Sequence, residues 1–195
     1  RNNNIPDLFI DSCKKISYLF PRAHAVAYVM MAFRIAWFKI NHPLAFYAAY
    51  FSIRAKTFDL EIMTGDLDKQ LNEFRRIKAL DRMASPKEKD LMSALEVSME
   101  MYQRGFRFSN VDIENSDSRR FSIRDGALLP PFLAVESLGE KVADAMVEER
   151  EKRPFTSLKD LQRRCKVSNT IIETMKTLHC TGNLPEDEQM SLFGA

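Results

Sequence analysis

Arg22, His24 and Tyr28 combine positive charge, hydrogen-bond donors and a flat ring near the start of a predicted helix. Pro21 favours the first turn of that helix, which places His24 and Tyr28 one turn apart on one face. The helix dipole disfavours a cation in the first turn, so Arg22 indicates an anionic partner. A nucleoside triphosphate fits, with Arg22 and His24 facing its phosphates and Tyr28 its base pair. In the alternative interpretation, His24 and Tyr28 are hydrogen-bonded polar groups of a core.

Two short turns before predicted helices indicate binding to a phosphate backbone. The first N–H groups of a helix have no partner within it and carry partial positive charge, so they bind phosphate without reading a base. The turns resemble those of helix-hairpin-helix DNA-binding domains, although Ser137 stands where a glycine is expected and the second turn has no glycine. The alternative is a packing unit of helical hairpins. The predicted DNA-binding residues are Ser137, Leu138, Gly139, Lys141, Lys166, Ser168 and Asn169.

The C-terminal segment resembles the short peptide that bacterial replication proteins insert into the sliding clamp. Leu192 and Phe193 could fill an apolar pocket, and each fully buried side chain contributes roughly 1.5–3 kcal/mol. The amide of Gln189 can donate and accept beside that pocket. An ordinary frayed tail is the alternative. The predicted clamp-binding residues are Gln189, Met190, Ser191, Leu192 and Phe193.

Paired carboxylates and cysteines do not predict a metal site in this chain. Asp66 and Asp68 are spaced like a pair of carboxylates that holds metal ions. They lie at a predicted helix start, however, where aspartate is a common cap. Asp112 and Glu114 lie in a predicted exposed loop, so no catalytic residue is assigned. The three cysteines are widely spaced without a Cys-x-x-Cys pair, which favours reduced thiols over a disulfide framework or a zinc site.

The elements that position these residues are predicted to be mainly helical. We expect a helical region at 1–104, a small β-containing connection at 105–130, a tandem helix-hairpin-helix-like domain at 131–182 and a flexible tail at 183–195. The connection is predicted from alternating residues at 106–108 and 119–123 and from the turn Asp125-Gly126. Ser85, Pro86 and Glu88 predict a helix start with a capping box.

Composition describes an ordinary globular protein with local charge. The 195 residues are 45% hydrophobic and 29% charged, with a net charge of +2, so any nucleic-acid surface must be local. Runs at 75–78 and 163–166 are basic and could contact phosphate, or could simply be solvated faces. Arg34 and Lys39 interrupt the apolar run 23–40, which favours a helix buried on several sides over a membrane span. The first residue, Arg1, leads us to expect a piece of a longer protein.

The order of these features resembles the C-terminal part of bacterial DNA polymerase III α subunits of the PolC type. The resemblance covers essentially the whole chain. It rests on Phe20 to Tyr28 with the continuation 36–44, and on the following segments: Ile5-Pro6-Asp7, Cys13-Lys14-Lys15, Arg104-Gly105-Phe106, Pro130-Pro131-Phe132, Leu138-Gly139, Leu184-Pro185 and the clamp peptide.

This resemblance implies the distal fingers of the polymerase, a duplex-binding region and a clamp tether. Region 1–104 would belong to the fingers, and Arg22, His24 and Tyr28 would face the incoming dNTP. The family's metal-binding aspartates belong to the palm, outside this chain, so Mg²⁺ is expected in the intact polymerase and no cofactor or activity in this fragment alone.

The predicted function is therefore part of a replicative DNA-directed DNA polymerase. Its expected partners are primer-template DNA, the dNTP, the sliding clamp and the remainder of the polymerase, with no membrane, in the cytoplasm at the nucleoid. Two alternatives remain open from the residues. One is a stand-alone DNA-binding or repair adaptor that binds the clamp, and the other is a helical interaction module without a nucleic-acid role.

Overall fold

The computed structural model describes residues 5–15 and 21–187, and the chain divides into two units, before and after the boundary between Asn41 and His42. The fold is mainly α with one small antiparallel sheet, as the sequence predicted. The helices are α1 (Asp7–Lys15), α2 (Arg22–Asn41), α3 (Pro43–Ala49), α4 (Leu60–Met63), α5 (Leu67–Leu80), α6 (Pro86–Gln103), α7 (Glu140–Lys152), α8 (Leu158–Cys165) and α9 (Asn169–Thr177); the strands are β1 (Ser122–Arg124) and β2 (Ala127–Leu129).

The first unit contains α1 and α2, and no residue of either helix is buried. The prediction that α2 is buried on several sides is therefore wrong for this structure. Phe33 and Ile40 are 73% and 72% exposed. The apolar composition of α2 predicts burial, but composition alone does not show whether another surface covers the helix.

Helix α2 is also long and apolar enough to span a membrane, by length and composition alone, within the described residues. Core helices of soluble proteins share this composition, so the finding is a weak indication. The expectation that the chain has no membrane partner stays a prediction.

The second unit begins with helices whose ends are set by local signals. Pro43 starts α3, which continues as a π-helical turn at Tyr50–Arg54. The side chain of Asp66 accepts from the N–H of Lys69 at 2.7 Å and so caps α5. Ser85 and Glu88 form the predicted capping box of α6. Helix α4 lies within the region 1–104 that the sequence predicted to be helical.

Helices α5 and α6 form an antiparallel hairpin. The hydroxyl of Ser98 donates to Gln70 at 2.6 Å, and Arg76 donates to Glu88 at 3.1 Å, so contacts progress in opposite directions along the two helices. The buried amide of Gln70 also donates to the carbonyl of Met63 at 3.0 Å. These hydrogen bonds satisfy the buried amide of Gln70 and fix the register of α5 against α6.

Four phenylalanines join the predicted β-containing connection to the helices. Phe51, Phe58, Phe108 and Phe121 come from separate segments, and all six of their pairwise ring-centroid distances lie between 4.9 and 6.1 Å. Such aromatic pairs stabilise beyond the area they bury. Residues of 105–130 pack in this core and, through Val111 and Ile113, in a second core formed with α7, α8 and α9.

The predicted β hairpin forms, but it is shorter than expected. Asp125 and Gly126 have φ of 50° and 76°, as a two-residue turn between antiparallel strands requires. The predicted strand at 106–108 is only a single bridge between Phe108 and Leu128. Residues 119–121 are not a strand because Asp117 accepts from the N–H groups of Arg119 and Arg120 and turns the chain.

The sequence predicts three helices after residue 139, near 140–150, 157–164 and 168–178, and α7, α8 and α9 begin and end within two residues of these bounds. Their apolar faces bury Met146, Leu161 and Met175 completely. All three cysteines are free. Burial raises the pKa of Cys165 to about 11 and that of Cys180 to about 12, so both remain neutral thiols at physiological pH.

Candidate nucleic-acid interface

The first predicted turn leads from a short 3₁₀ turn, Phe132–Ala134, into α7. Ser137 has φ of 65°, Leu138 is buried and Gly139 is the N-cap residue, with φ of −79° and ψ of 156°. The N–H of Leu138 donates to the carbonyl of Val135 at 3.2 Å, which closes the turn. Leu138 thus anchors the turn in the core, and only its backbone could face a ligand.

The second predicted turn repeats this backbone pattern between α8 and α9. Lys166 has φ of 57° and ψ of 36°, Val167 is buried and Ser168 is the N-cap residue, with φ of −71° and ψ of 156°. A left-handed residue, a buried aliphatic residue and an N-cap therefore occur in the same order in both turns. A non-glycine residue in the left-handed region costs about 1–2 kcal/mol. Both hairpins form despite that cost.

The two turns differ in how their helix starts are capped. Gly139 makes no side-chain hydrogen bond to α7, so the first N–H groups of that helix are open to an anion. In the second turn the hydroxyl of Ser168 accepts from the N–H of Ile171 at 3.3 Å. Asn169 accepts from the side-chain amide of Gln162 at 2.6 Å. The exposed Lys166 supplies a cation at the second turn.

Charges around the first turn partly oppose an anion. Arg119 forms ion pairs with Glu140 at 2.9 Å and with Asp144 at 2.6 Å. The hydrogen bond from Arg119 lowers the pKa of the Asp144 carboxyl. Arg119 therefore neutralises part of the acidic charge at the start of α7, and the exposed Lys141 adds positive charge beside it.

Asp160 organises the basic residues of α8 and removes one of them from the candidate interface. Its carboxylate is buried and accepts from Arg153, Arg163 and Arg164 at 2.9, 2.9 and 3.1 Å. The guanidinium of Arg164 also bonds to Glu149 and lies 4.6 Å from the ring centroid of Phe155. Its side chain is only 9% exposed, so the prediction that the whole run 163–166 could contact phosphate is wrong at Arg164.

Two positioning residues were not recognisable from the sequence. Arg150 donates to the carbonyls of Ile113 and Ser116 at 2.9 and 2.8 Å, and Asn110 donates to the carbonyl of Leu178 at 2.5 Å. Both fasten the loop after residue 108 to the hairpin region. Their partners lie at least 34 residues away, so no local spacing signals these contacts.

The predicted triphosphate-facing residues lie together on α2. Arg22, His24 and Tyr28 are exposed, and the rings of His24 and Tyr28 have their centroids 4.5 Å apart. The N–H of Ala25 donates to the carbonyl of Pro21 at 3.2 Å, which closes the first turn. The shared face is as predicted, whereas binding of a nucleotide there stays a prediction.

The chain just before the predicted clamp peptide is fastened to the hairpin region. The carbonyls of Pro185 and Glu186 accept from the N–H groups of Leu158 and Lys159 at 2.9 and 3.2 Å, and so cap α8. Glu186 also pairs with Lys176 at 2.5 Å. The peptide itself, residues 189–193, lies outside the described residues.

The candidate carboxylates bond to backbone groups close to them in the chain. Asp66 caps α5, and Asp112 accepts from the N–H of Glu114 at 2.7 Å within its own loop. Within residues 5–15 and 21–187, no group of three or more potential ligands could hold a metal ion. The expectation that Mg²⁺ ligands lie elsewhere in an intact polymerase stays a prediction.

Comparison with known proteins gives one family match and several similar proteins. Residues 105–189 match a family model described as a helix-hairpin-helix motif. The chain is 48% identical over 193 residues to a protein named DNA polymerase III PolC-type from Caldanaerobacter subterraneus subsp. tengcongensis. The aligned region covers 99% of this chain and 14% of that protein. A protein of the same name from Streptococcus pyogenes serotype M12 is 48% identical over 195 residues, or 99% of this chain and 13% of the relative.

The chain spans about one seventh of the length of the curated relatives that it matches. It is therefore similar, over nearly its full length, to a segment of PolC-type proteins, and it contains a helix-hairpin-helix motif.

Proposed function

We propose that this chain is part of a replicative DNA-directed DNA polymerase of the PolC type and that its two hairpins bind the product duplex. The observation that carries this proposal is the repeated turn at 137–139 and 166–168. Each turn ends at a helix start, where N–H groups can hold a backbone phosphate independently of sequence. The similarity to PolC-type proteins supports the polymerase as the setting.

We also propose that the chain is divided into the four regions predicted from the sequence. Residues 1–104 would form the helical fingers region, 105–130 the small connection, 131–182 the tandem hairpin domain and 183–195 the tail. The large exposed side chains of α2 would be covered by the remainder of the polymerase chain. Arg22, His24 and Tyr28 would position the incoming dNTP, while carboxylates outside this chain would hold the Mg²⁺ that activates the 3′ hydroxyl.

The tail would tether the polymerase to the sliding clamp. Gln189, Leu192 and Phe193 would supply the contacts, and the bonds of Pro185 and Glu186 to α8 hold the chain three residues before the peptide begins. A short tether raises the effective concentration of the polymerase at the primer end. We accordingly propose a cytoplasmic, nucleoid-associated protein.

Gly139→Val tests duplex binding by the first hairpin. Gly139 has an ordinary φ of −79°, and a Cβ at this position would meet nothing within 4 Å. The fold therefore accepts the side chain, whereas a phosphate approaching the N–H groups of α7 would collide with it. We expect the affinity for a short DNA duplex at low salt to fall at least about tenfold, the equivalent of ~1.4 kcal/mol, in a fluorescence-anisotropy titration.

Two further variants control for size and for surface bulk. Gly139→Ala should give a smaller loss because it adds one methyl group. Ser93→Val places a β-branched side chain on the exposed face of α6, outside both hairpins, and should leave DNA affinity unchanged. Equal affinities of the Gly139→Val variant and the parent chain, with unchanged thermal unfolding, would remove the first hairpin as a duplex site.

A further inference from the structure

Positive charge is concentrated outside the hairpin region. Residues 75–89 contain six Lys or Arg and two Asp or Glu, a net charge of +4, whereas the complete chain has a net charge of +2. Residues 131–187 contain nine Lys or Arg and ten Asp or Glu, a net charge of −1. The region that carries the two hairpins therefore has no excess of cations with which to neutralise phosphates.

The cations of 75–89 lie at one end of the α5–α6 hairpin. Arg75 and Lys78 are one turn apart on the last half of α5, Arg82 lies in the connection, and Lys87 and Lys89 lie in the first turn of α6. All five side chains are exposed. We call these five residues the basic tip.

Of the two acidic residues within 75–89, Asp81 is exposed and forms no ion pair among the described residues, and it offsets one of the five charges of the basic tip. Glu88 is engaged by the capping box and by Arg76, which also bonds to Glu73 at 2.7 Å. The residues of the basic tip form no ion pair with any other residue of 5–15 or 21–187. Lys78 lies 5.8 Å from the ring centroid of Phe74, and its charge remains accessible.

The basic tip differs from an ordinary solvated face and from a simple helix start. Exposed helix faces usually interleave charges of both signs, whereas here unpaired cations come from two helices and the connection between them. The N-terminus of α6 is not the binding group, because Ser85 and Glu88 bond each other's N–H groups there. Any anion would therefore be held by the side chains.

We propose that the basic tip binds the phosphodiester backbone of nucleic acid, as a contact separate from the two hairpins. The exposed cations on neighbouring turns can meet successive phosphates, and a phosphate contact carries no information about base sequence. Such a contact adds affinity that depends on salt and not on sequence. It does not rest on the hairpin site, because none of its residues belongs to either turn.

The test is the triple substitution Arg75→Gln, Arg82→Gln and Lys87→Gln in the 195-residue chain. Binding to a single-stranded oligonucleotide and to a duplex is titrated between low and moderate salt. If each cation meets one phosphate, the slope of log K against log salt becomes shallower by about 2 for a single strand or about 2.7 for a duplex. We also expect at least a tenfold loss of affinity at low salt for the form of DNA that the tip contacts.

A matched triple substitution separates a local site from a general effect of net charge. Arg54→Gln, Arg107→Gln and Arg120→Gln remove the same charge from exposed positions outside the basic tip, and should change the salt slope much less. Equal losses in the two triple variants would overturn the proposal, as would an unchanged slope in the first.

Two forms of DNA and one acidic competitor identify which ligand the basic tip binds. A larger loss with the single strand assigns the basic tip to single-stranded DNA, and a larger loss with the duplex assigns it to duplex DNA. Displacement by poly-glutamate of equal charge as efficiently as by DNA would show an acidic-peptide surface and overturn the proposal. If Gly139→Val weakens duplex binding while the triple variant does not, the hairpin site stands and the basic tip does not.

Discussion

Asp160 illustrates how one buried carboxylate can hold a group of helices together. Burial alone would raise its pKa, but hydrogen bonds from Arg163, Arg164 and the N–H of Thr156, together with the charge of Arg153, lower it to about 2. The ionised form is therefore stabilised in the folded state relative to the unfolded chain. Asp160 contributes stability above the ordinary aspartate pKa, and this contribution is lost as the pH falls from about 4 to about 2.

Replacing this carboxylate should reveal its contribution directly. Asp160→Asn leaves three arginines facing a neutral group, and removing one partner of a buried ion pair typically costs about 3–5 kcal/mol. We expect a loss of about 3 kcal/mol in urea denaturation at pH 7. The loss should shrink as the pH is lowered from about 4 towards 2, because the parent protein then protonates Asp160 as well.

Asp144→Asn is the matched control for this prediction. Asp144 pairs with Arg119 at the surface, where ion pairs contribute little, so its removal should barely change the denaturation midpoint. Equal destabilisation by the two variants would show that burial of Asp160 is not what makes it important.

The ends of α5 and α6 show how elements are set by local bonds. The side chain of Glu88 accepts from the N–H of Ser85 at 2.9 Å, and the hydroxyl of Ser85 accepts from the N–H of Glu88 at 3.2 Å. Arg76 ties this start to α5 through Glu88. The helix start within the basic tip is thus held from both helices.

Ser85→Ala should destabilise the chain by about 1 kcal/mol, because it leaves an N-terminal N–H group of α6 without its side-chain acceptor. Thermal or urea denaturation measures this loss. Ser93→Ala in the same helix is the control, since alanine favours a helix interior over serine, and it should be neutral or slightly stabilising. A loss of similar size in the control would mean that the effect at Ser85 is not due to capping.

At the scale of the whole molecule, the proposed DNA contacts and the proposed clamp contact belong to separate parts of the chain. The hairpins and the basic tip lie in the described second unit, whereas the predicted clamp peptide follows residue 187. The bonds of Pro185 and Glu186 to α8 hold the last described residues against the hairpin region. Loss of the peptide should therefore leave DNA binding unaffected.

Leu192→Ala combined with Phe193→Ala tests this separation. Two large apolar side chains contribute at least about 3 kcal/mol when buried, so clamp affinity should fall more than about a hundredfold. Surface plasmon resonance on a bacterial sliding clamp measures this, and a DNA titration on the same variant should match the parent chain. Ser191→Ala, in the spacer of the peptide, should bind the clamp normally. Retention of clamp binding by the double variant would refute the tether.

Helix starts and the hairpin turn were predictable because their signals act within four residues. Ser85 and Glu88 predict the start of α6, and Asp66 predicts the start of α5, because their side chains bond to the neighbouring backbone. Asp125-Gly126 predicts the β turn, because these residues bend the backbone locally. The helix bounds of the hairpin region and the positions of both turns follow from the same local chemistry. The exposure of α2 was not predictable in this way, because burial depends on whether a second surface covers the helix.

Contacts between distant residues required the folded structure. The four packed phenylalanines come from segments up to 70 residues apart, and Arg164 becomes a buried structural residue only because Asp160 and Glu149 meet around it. The unpaired state of the basic tip likewise depends on which acids lie within reach. Local spacing encodes backbone geometry, whereas charge pairing and burial depend on which segments the fold brings together.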